Sequence, residues 1–188
     1  MRAYTIGLFR KLITLAGQLR APSVIVVPGR LNPLLPAPGS RHVDWLYESL
    51  QLLKAPAEDS GVTLALENIP IGPIPKVGEL IEMVRRLDSP AVRICYDVAN
   101  GRYAGEDPVA GLEAAAPWLE VVHISDTTRK VWRHDVLGDG DIDFAPIVKT
   151  IDAIGHLRKP LIELCVADPD AGLRSSLRSL ALAAAQRY

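Results

Sequence analysis

Four residues able to hold a metal or move a proton recur along this chain: Glu67, Asp97, His123 and Glu163. They lie 30, 26 and 40 residues apart, and one β-strand with its crossover helix takes roughly 30 residues. Each falls at or near the end of a short apolar run: Val62–Glu67 (VTLALE), Val92–Asp97 (VRICYD), Leu119–Ile124 (LEVVHI) and Leu161–Leu164 (LIEL). Two glutamates, an aspartate and a histidine form a donor set suited to one divalent ion such as Mn, Zn, Co or Mg. A cap or a salt bridge would explain any one of them. Buried strands seldom carry acids, however, and here four runs end in turn on such a residue.

The elements that must position these residues follow from the hydrophobic pattern. A fifth apolar run, Ser23–Val27 (SVIVV), precedes the other four. Near-continuous β-rich runs suit strands buried on both faces of a parallel sheet. Between them lie amphipathic segments. Val43, Leu46, Leu50 and Leu53 share one helical face, as do Val77, Leu80, Ile81, Val84 and Leu87, and Ile147, Val148, Ile151 and Ile154. Asp107-Pro108 reads as an N-cap with proline at the first helical position, and Gly155 sits where a helix end would want it. The alternation gives an α/β fold with right-handed crossovers. In an α/β barrel the C-terminal strand ends form the active-site face. Pro28–Gly39 reads as a long loop and not as a linker, because the 27 residues before it could not build a second core.

Composition narrows the classes. The chain has 188 residues, 21 Lys and Arg against 22 Asp and Glu, and net charge -1. That balance gives no footprint for a nucleic-acid backbone or an anionic membrane. No apolar stretch approaches a membrane span, and the N-terminus lacks a secretory pattern. Cys95 and Cys165 sit in apolar runs and are expected to be reduced core thiols of a cytoplasmic protein.

Several motifs together resemble the xylose isomerase-like barrel superfamily of sugar isomerases, epimerases and related dehydratases. Leu64–Asn68 (LALEN) resembles one of its metal-ligand strands, and Cys95–Pro108 (CYDVANGRYAGEDP) resembles its D-x-x-H segment and the helix start that follows. Val121–Arg129 (VVHISDTTR) resembles its H-x-x-D strand, His134–Phe144 (HDVLGDGDIDF) its L-G-E-G-x-I-D-F loop, and Pro160–Leu164 (PLIEL) its last ligand strand. The resemblance implies a (β/α)8 TIM-barrel type of fold. Here it is incomplete, with about five parallel strands matching family strands four to eight in one domain over residues 1–188. Residues 1–19 would be the helix before the first of these strands.

The resemblance also implies roles. Glu67, Asp97, His123 and Glu163 would bind one divalent metal. Glu67 and Glu163 would take and return a carbon-bound proton of a keto sugar or polyol ketone through a metal-stabilised enediolate, giving an isomerase or epimerase. Asn100, Arg129 and His134 would contact substrate. Three departures stand out. Asn100 occupies a place where the family often has His, so it can hydrogen-bond a hydroxyl but cannot act as an imidazolium acid. Trp132 replaces the first ligand Asp of the late loop in the zinc-dependent apurinic endonucleases. A complete barrel needs roughly 250 residues, and three strands are missing from this count. A lyase acting on an inosose or dehydroshikimate-like cyclic ketone is the alternative chemistry, and an inactive truncated metal-binding remnant is a further alternative.

Remaining expectations concern single residues and assembly. Asp126 is either an orienting partner of His123, a substrate ligand or a loop cap. His42 and His156 are expected at the surface, and Gly138-Asp139-Gly140 forms a turn before an Asp143 cap. An open five-strand sheet would leave edges at Ser23–Val27 and Leu161–Leu164. It would also leave an uncovered face carrying Leu64, Leu66, Cys95 and Val122. Such a chain is expected to form a homo-oligomer or otherwise self-associate, with a small sugar or polyol as its substrate and neither nucleic acid nor membrane as partner.

Overall fold

The structure, a computed structural model, describes residues 2–32, 34 and 41–185. Half of the Pro28–Gly39 loop (residues 33 and 35–39), Met1 and residues 186–188 therefore lie outside the described residues. Five strands alternate with helices, as the apolar runs require. The chain forms two compact units, residues 1–95 and 96–188, and the boundary falls within the third strand.

The first unit opens with α1 (Arg2–Gln18), which leads into β1 (Ser23–Val26). Then come α2 (Arg41–Ser60), β2 (Thr63–Glu67), α3 (Val77–Leu87) and most of β3 (Val92–Asp97). β1 pairs with β2 in parallel, Ser23 opposite Thr63 and Val26 opposite Leu66. β2 pairs with β3 in parallel, Leu64 opposite Val92 and Glu67 opposite Cys95. The amphipathic stripe of α3 buries Leu80, Met83, Val84 and Leu87, an i, i+3, i+4, i+7 set. α2 turns into β2 through Gly61 at φ 64, a left-handed position that glycine takes without steric cost.

The second unit begins with the last two residues of β3 and continues as α4 (Val98–Tyr103), α5 (Pro108–Ala115) and a 3-10 turn (Ala116–Trp118). β4 (Leu119–Ile124), α6 (Phe144–Ala153), β5 (Leu161–Ile162) and α7 (Pro169–Ala185) complete it. β4 and β5 are parallel, with His123 opposite Leu161. The caps are those the sequence marks: Asp107 accepts from the Val109 N–H, Asp143 from the Ala145 N–H, and Gly155 follows α6 with φ 68. The backbone of residues 138–140 turns ahead of Asp143 as expected.

Four expectations need correction. β5 stops at Ile162, so Cys165 lies beyond the strand and is exposed, whereas Cys95 is buried. His156 is half-buried; burial, followed by the nearby Arg158 charge, lowers its pKa. Leu64, Leu66, Cys95 and Val122 are all fully buried and do not form a wet face. Strand alternation also puts Leu64 and Leu66 on the face opposite Glu67, and Val122 opposite His123.

Tyr96 organises the start of the second unit. Its ring is fully buried, and Gly101 and Gly111 leave room for it. A Cβ at either glycine would overlap the phenol oxygen. Burial, followed by the charges of Glu106, Asp97 and Asp107, pushes the phenol pKa well above its ordinary value. Gly111→Ala should therefore cost about 1–3 kcal/mol through overpacking. Urea denaturation of the two proteins will measure it, and an unchanged midpoint would mean that the α5 backbone yields freely at this contact.

Candidate metal centre

Within the second unit three of the expected ligands meet. Asp97 is the last residue of β3 and the N-cap of α4, and its Oδ1 accepts the Asn100 N–H at 2.6 Å. One carboxylate oxygen is thus committed to the helix start, and the other, Oδ2, lies toward two imidazoles. It is 4.0 Å from His123 Nδ1 and 3.8 Å from His134 Nδ1. His123 comes from the penultimate position of β4. Its Nδ1 is 2.9 Å from Glu163 Oε2. Glu163 follows β5 directly, and its backbone N–H extends the ladder to the Ile124 carbonyl at 3.1 Å.

Burial separates the two acids. The Asp97 side chain is fully buried and that of Glu163 is 42% exposed. The hydrogen bond from His123 is the main influence holding the Glu163 carboxyl below its usual range; burial works against it, and the His123 and His134 charges reinforce it.

The donor set fits a divalent cation. One ligand atom from each of Asp97, His123 and Glu163 lies within 4.8 Å of the others. The 2.9 and 4.0 Å separations are those of two ligands each about 2.1 Å from a shared ion. An imidazole nitrogen with carboxylate oxygens is the chemistry that Zn, Mn and Co accept. Glu67, in the first unit, is the final residue of β2 and 5% exposed.

The substrate candidates divide. His134 lies beside the three ligands and is held in two ways. Its Nδ1 is 2.9 Å from Ser125 Oγ, and its carbonyl accepts the Cys165 N–H at 2.9 Å. Asn100 is 2% exposed, and its Oδ1 accepts the Trp132 indole N–H at 2.7 Å. Arg129 is exposed and reaches the Gly105 carbonyl at 3.5 Å.

The open question over Asp126 is resolved in favour of a loop anchor. It is fully buried. Its carboxylate accepts the N–H groups of Thr127 at 2.8 Å, Gly138 at 2.8 Å and Ile142 at 3.2 Å. Its backbone also pairs with Asp135 in both directions, at 3.0 and 2.9 Å. Gly140 lies so close that a Cβ there would overlap Asp126 Oδ1 and the Thr127 carbonyl. Asp126 thus anchors the stretch from 135 to 142 together with the Thr127 carbonyl, which accepts the Asp141 N–H at 2.9 Å, and Ser176 Oγ, which accepts the Leu137 N–H at 3.3 Å. The Gly138 and Gly140 spacing was the available sequence signal.

Comparison with known proteins identifies the family and the fold. Residues 1–183 match the family described as xylose isomerase-like TIM barrel. The protein MJ1311 of Methanocaldococcus jannaschii is 28% identical over 163 residues, which cover 83% of this chain and 55% of that protein. L-ribulose-5-phosphate 3-epimerase UlaE of Escherichia coli is 26% identical over 124 residues, covering 66% of this chain and 42% of the enzyme. The chain thus spans about half the length of these relatives. Among solved structures, a D-tagatose 3-epimerase-like protein superposes with a TM-score of 0.84 at 23% identity, over 100% of this chain and 72% of the other. An L-ribulose 3-epimerase gives a TM-score of 0.84 at 19% identity, over 98% and 69%.

Asp126→Ala should remove three side-chain bonds and leave the buried Thr127 amide unsatisfied, at a cost of about 2–4 kcal/mol. Hydrogen exchange should accelerate at Gly138 and Ile142 first. Unchanged protection at both amides would show that the loop holds without Asp126.

Proposed function

The chain belongs to the xylose isomerase-like TIM barrel family, and on that premise we propose that it is a divalent-metal-dependent sugar isomerase or epimerase. The observation that carries this reading is the meeting of Asp97, His123 and Glu163 at strand ends. Glu67 is the proposed fourth ligand. Its register partner in β3 is Cys95, two residues before Asp97 on the same face of that strand. Similarity to sugar epimerases in sequence and fold supports the reaction class.

A divalent cation held there would supply Lewis-acid polarisation of adjacent oxygens on a keto sugar. The residues of the chain do the rest. Glu67 and Glu163 serve as the pair that takes a carbon-bound proton from one face and returns it to the other. A carboxylate near a cation stays ionised and available as a base. His134, fixed by Ser125, offers a second imidazole beside the ligands. Arg129 and Asn100 are proposed to contact substrate hydroxyl or phosphate oxygens.

The proposal extends to setting and assembly. Among the described residues no helix is long and apolar enough to cross a membrane, and a cytoplasmic setting suits two cysteines outside any disulfide. Self-association is proposed from the outer row of α1, where Tyr4, Leu8, Leu12, Leu15 and Leu19 are exposed at helical spacing. Light scattering behind gel filtration should therefore give a mass above 20.4 kDa.

The test is direct. Calorimetry with Mn2+ should find about one site per chain, and His123→Ala should weaken it at least tenfold, since second-row losses alone cost that much. With L-ribulose 5-phosphate or D-tagatose in D2O, NMR should show deuterium entering next to the carbonyl, and Glu163→Gln should abolish it. Wild-type Mn2+ affinity in His123→Ala would overturn the ligand assignment. Arg129→Ala should leave the melting temperature within about 2 °C, because an exposed contact at 3.5 Å contributes little, while lowering the exchange rate. A variant that unfolds early with unaltered exchange would make Arg129 structural.

A further inference from the structure

Two departures from the family pattern meet in space. Trp132 stands where a related late loop carries a ligand Asp, and Asn100 stands where His is usual. The Trp132 indole N–H donates to Asn100 Oδ1 at 2.7 Å. Indole nitrogen is a donor only, so the atom it meets must be the amide oxygen. The amide orientation is fixed by this bond. On its other sides Trp132 stacks against Tyr103, with ring centroids 6.4 Å apart and planes at 28°. It also meets His134 edge-on at 6.0 Å and 65°. An indole held by one hydrogen bond and two ring contacts is a rigid wall and not a mobile loop side chain.

That wall bounds a cavity. Trp132, Arg133, His134, Asp135 and Cys165 line an open recess of about 380 Å³, which is the size of a small-molecule site. One of its lining residues reaches the proposed ligands: His134 Nδ1 is 3.8 Å from Asp97 Oδ2. Trp132 is only partly buried, so the ring keeps accessible surface. A sugar presents hydroxyls at its edge and a patch of C–H groups on its face. The C–H patch is apolar and slightly positive, which suits the negative face of an aromatic ring.

We propose that Trp132 is a substrate-positioning residue whose indole, pinned by Asn100 and Tyr103, packs against the C–H face of a ketose bound beside Asp97, His123 and Glu163. The inference rests on the sugar-enzyme reading given above. It makes this cavity one that favours an open-chain or cyclic ketose over a planar anion, because the wall recognises a C–H surface and not a charge. The neighbouring Arg133 guanidinium, 3.9 Å from Asp135, is already shared with a carboxylate.

The experiment uses the full chain with Trp45 and Trp118 replaced by Phe, so that emission reports Trp132 alone. D-tagatose, D-psicose and L-ribulose 5-phosphate are titrated with and without Mn2+, and Mn2+ binding is measured separately by calorimetry. At least one ketose should change the Trp132 emission. By calorimetry in the otherwise wild-type chain, Trp132→Ala should weaken binding of that ketose at least tenfold and Trp132→Phe, which keeps a ring but loses the N–H, by less. Both should keep the wild-type Mn2+ affinity within twofold. Should Trp132→Ala fail to fold, Trp132→Phe and the emission change carry the test. No response to any of the three ketoses overturns the inference, as does a Trp132→Ala variant that binds the responding ketose within threefold of wild type. A loss of Mn2+ affinity in the folded variants would overturn it too, by making Trp132 a support for the ligands. Absence of Mn2+ binding in the unaltered chain counts against the metal-enzyme reading, and a ketose response at Trp132 in that case leaves the wall in place.

Discussion

Asp97 is a carboxylate with no solvent exposure at the end of a β-strand, and its burial is the constraint on which the surrounding structure depends. A buried carboxyl group costs several kcal/mol unless polar groups replace its water. The replacement begins in the backbone. β3 ends at Asp97 and α4 begins on the next residue, so the strand end becomes a helix N-cap and Oδ1 receives the Asn100 N–H. Oδ2 faces two imidazoles, His123 from β4 and His134 from the following loop. Neither histidine could stand there without its own support. His123 is fixed by strand register, and His134 by Ser125 and by the loop that Asp126 holds closed. A second buried carboxylate, Asp126, thus helps hold one of the groups around the first, the loop that carries His134.

The parts visible in the sequence were those written in period and punctuation. β3 and β4 have the boundaries read from VRICYD and LEVVHI, because β-branched runs closed by a polar residue leave little choice of register. Asp107-Pro108, Asp143 and Gly155 marked helix ends through chemistry that acts within one turn. α4 was not visible as a helix. Its six residues, VANGRY, are too few for a periodic signal and contain Asn and Gly, both poor helix formers. Met83 belongs to the buried stripe of α3, although the apolar face read from the sequence ran through Ile81. β5 was overestimated because LIEL is apolar beyond the two residues that pair.

In the site, the once-per-unit recurrence of Asp97, His123 and Glu163 was legible because each lies at or next to a strand end, and the C-terminal ends of parallel strands lie along one edge of the sheet. The contacts of Asn100, Trp132 and His134 were not. They depend on how the loop of residues 125–143 folds back, and no periodicity encodes that. The loop is set by side-chain bonds: Asp126 to the Gly138 and Ile142 amides, Thr127 to the Arg133 amide and the Val131 carbonyl, and Ser125 to the His134 ring. Such bonds connect residues 4 to 16 apart in sequence, a range over which residue type gives little warning. The same physics explains the error in face assignment. Leu64, Leu66 and Val122 are as apolar as any core residue, and only their parity relative to Glu67 and His123 shows that they point away from the ligands.

The two acids of the second unit differ in freedom more than in chemistry. Asp97 is pinned at one oxygen and buried at both, so its carboxylate cannot follow a proton from one atom to another without breaking the start of α4. Glu163 has one more methylene, lies past the end of its strand, and keeps two-fifths of its side chain exposed. The His123 hydrogen bond is the main influence lowering its pKa, and a carboxyl is ionised at neutral pH even at its ordinary value. A base that collects a carbon-bound proton must be ionised, movable by about an ångström and reachable by substrate. Glu163 is ionised and partly exposed, whereas Asp97 is held at the start of α4 and fully buried. Environment thus divides the two carboxylates into one fixed in place and one left open to solvent, as it does wherever paired acids share one site.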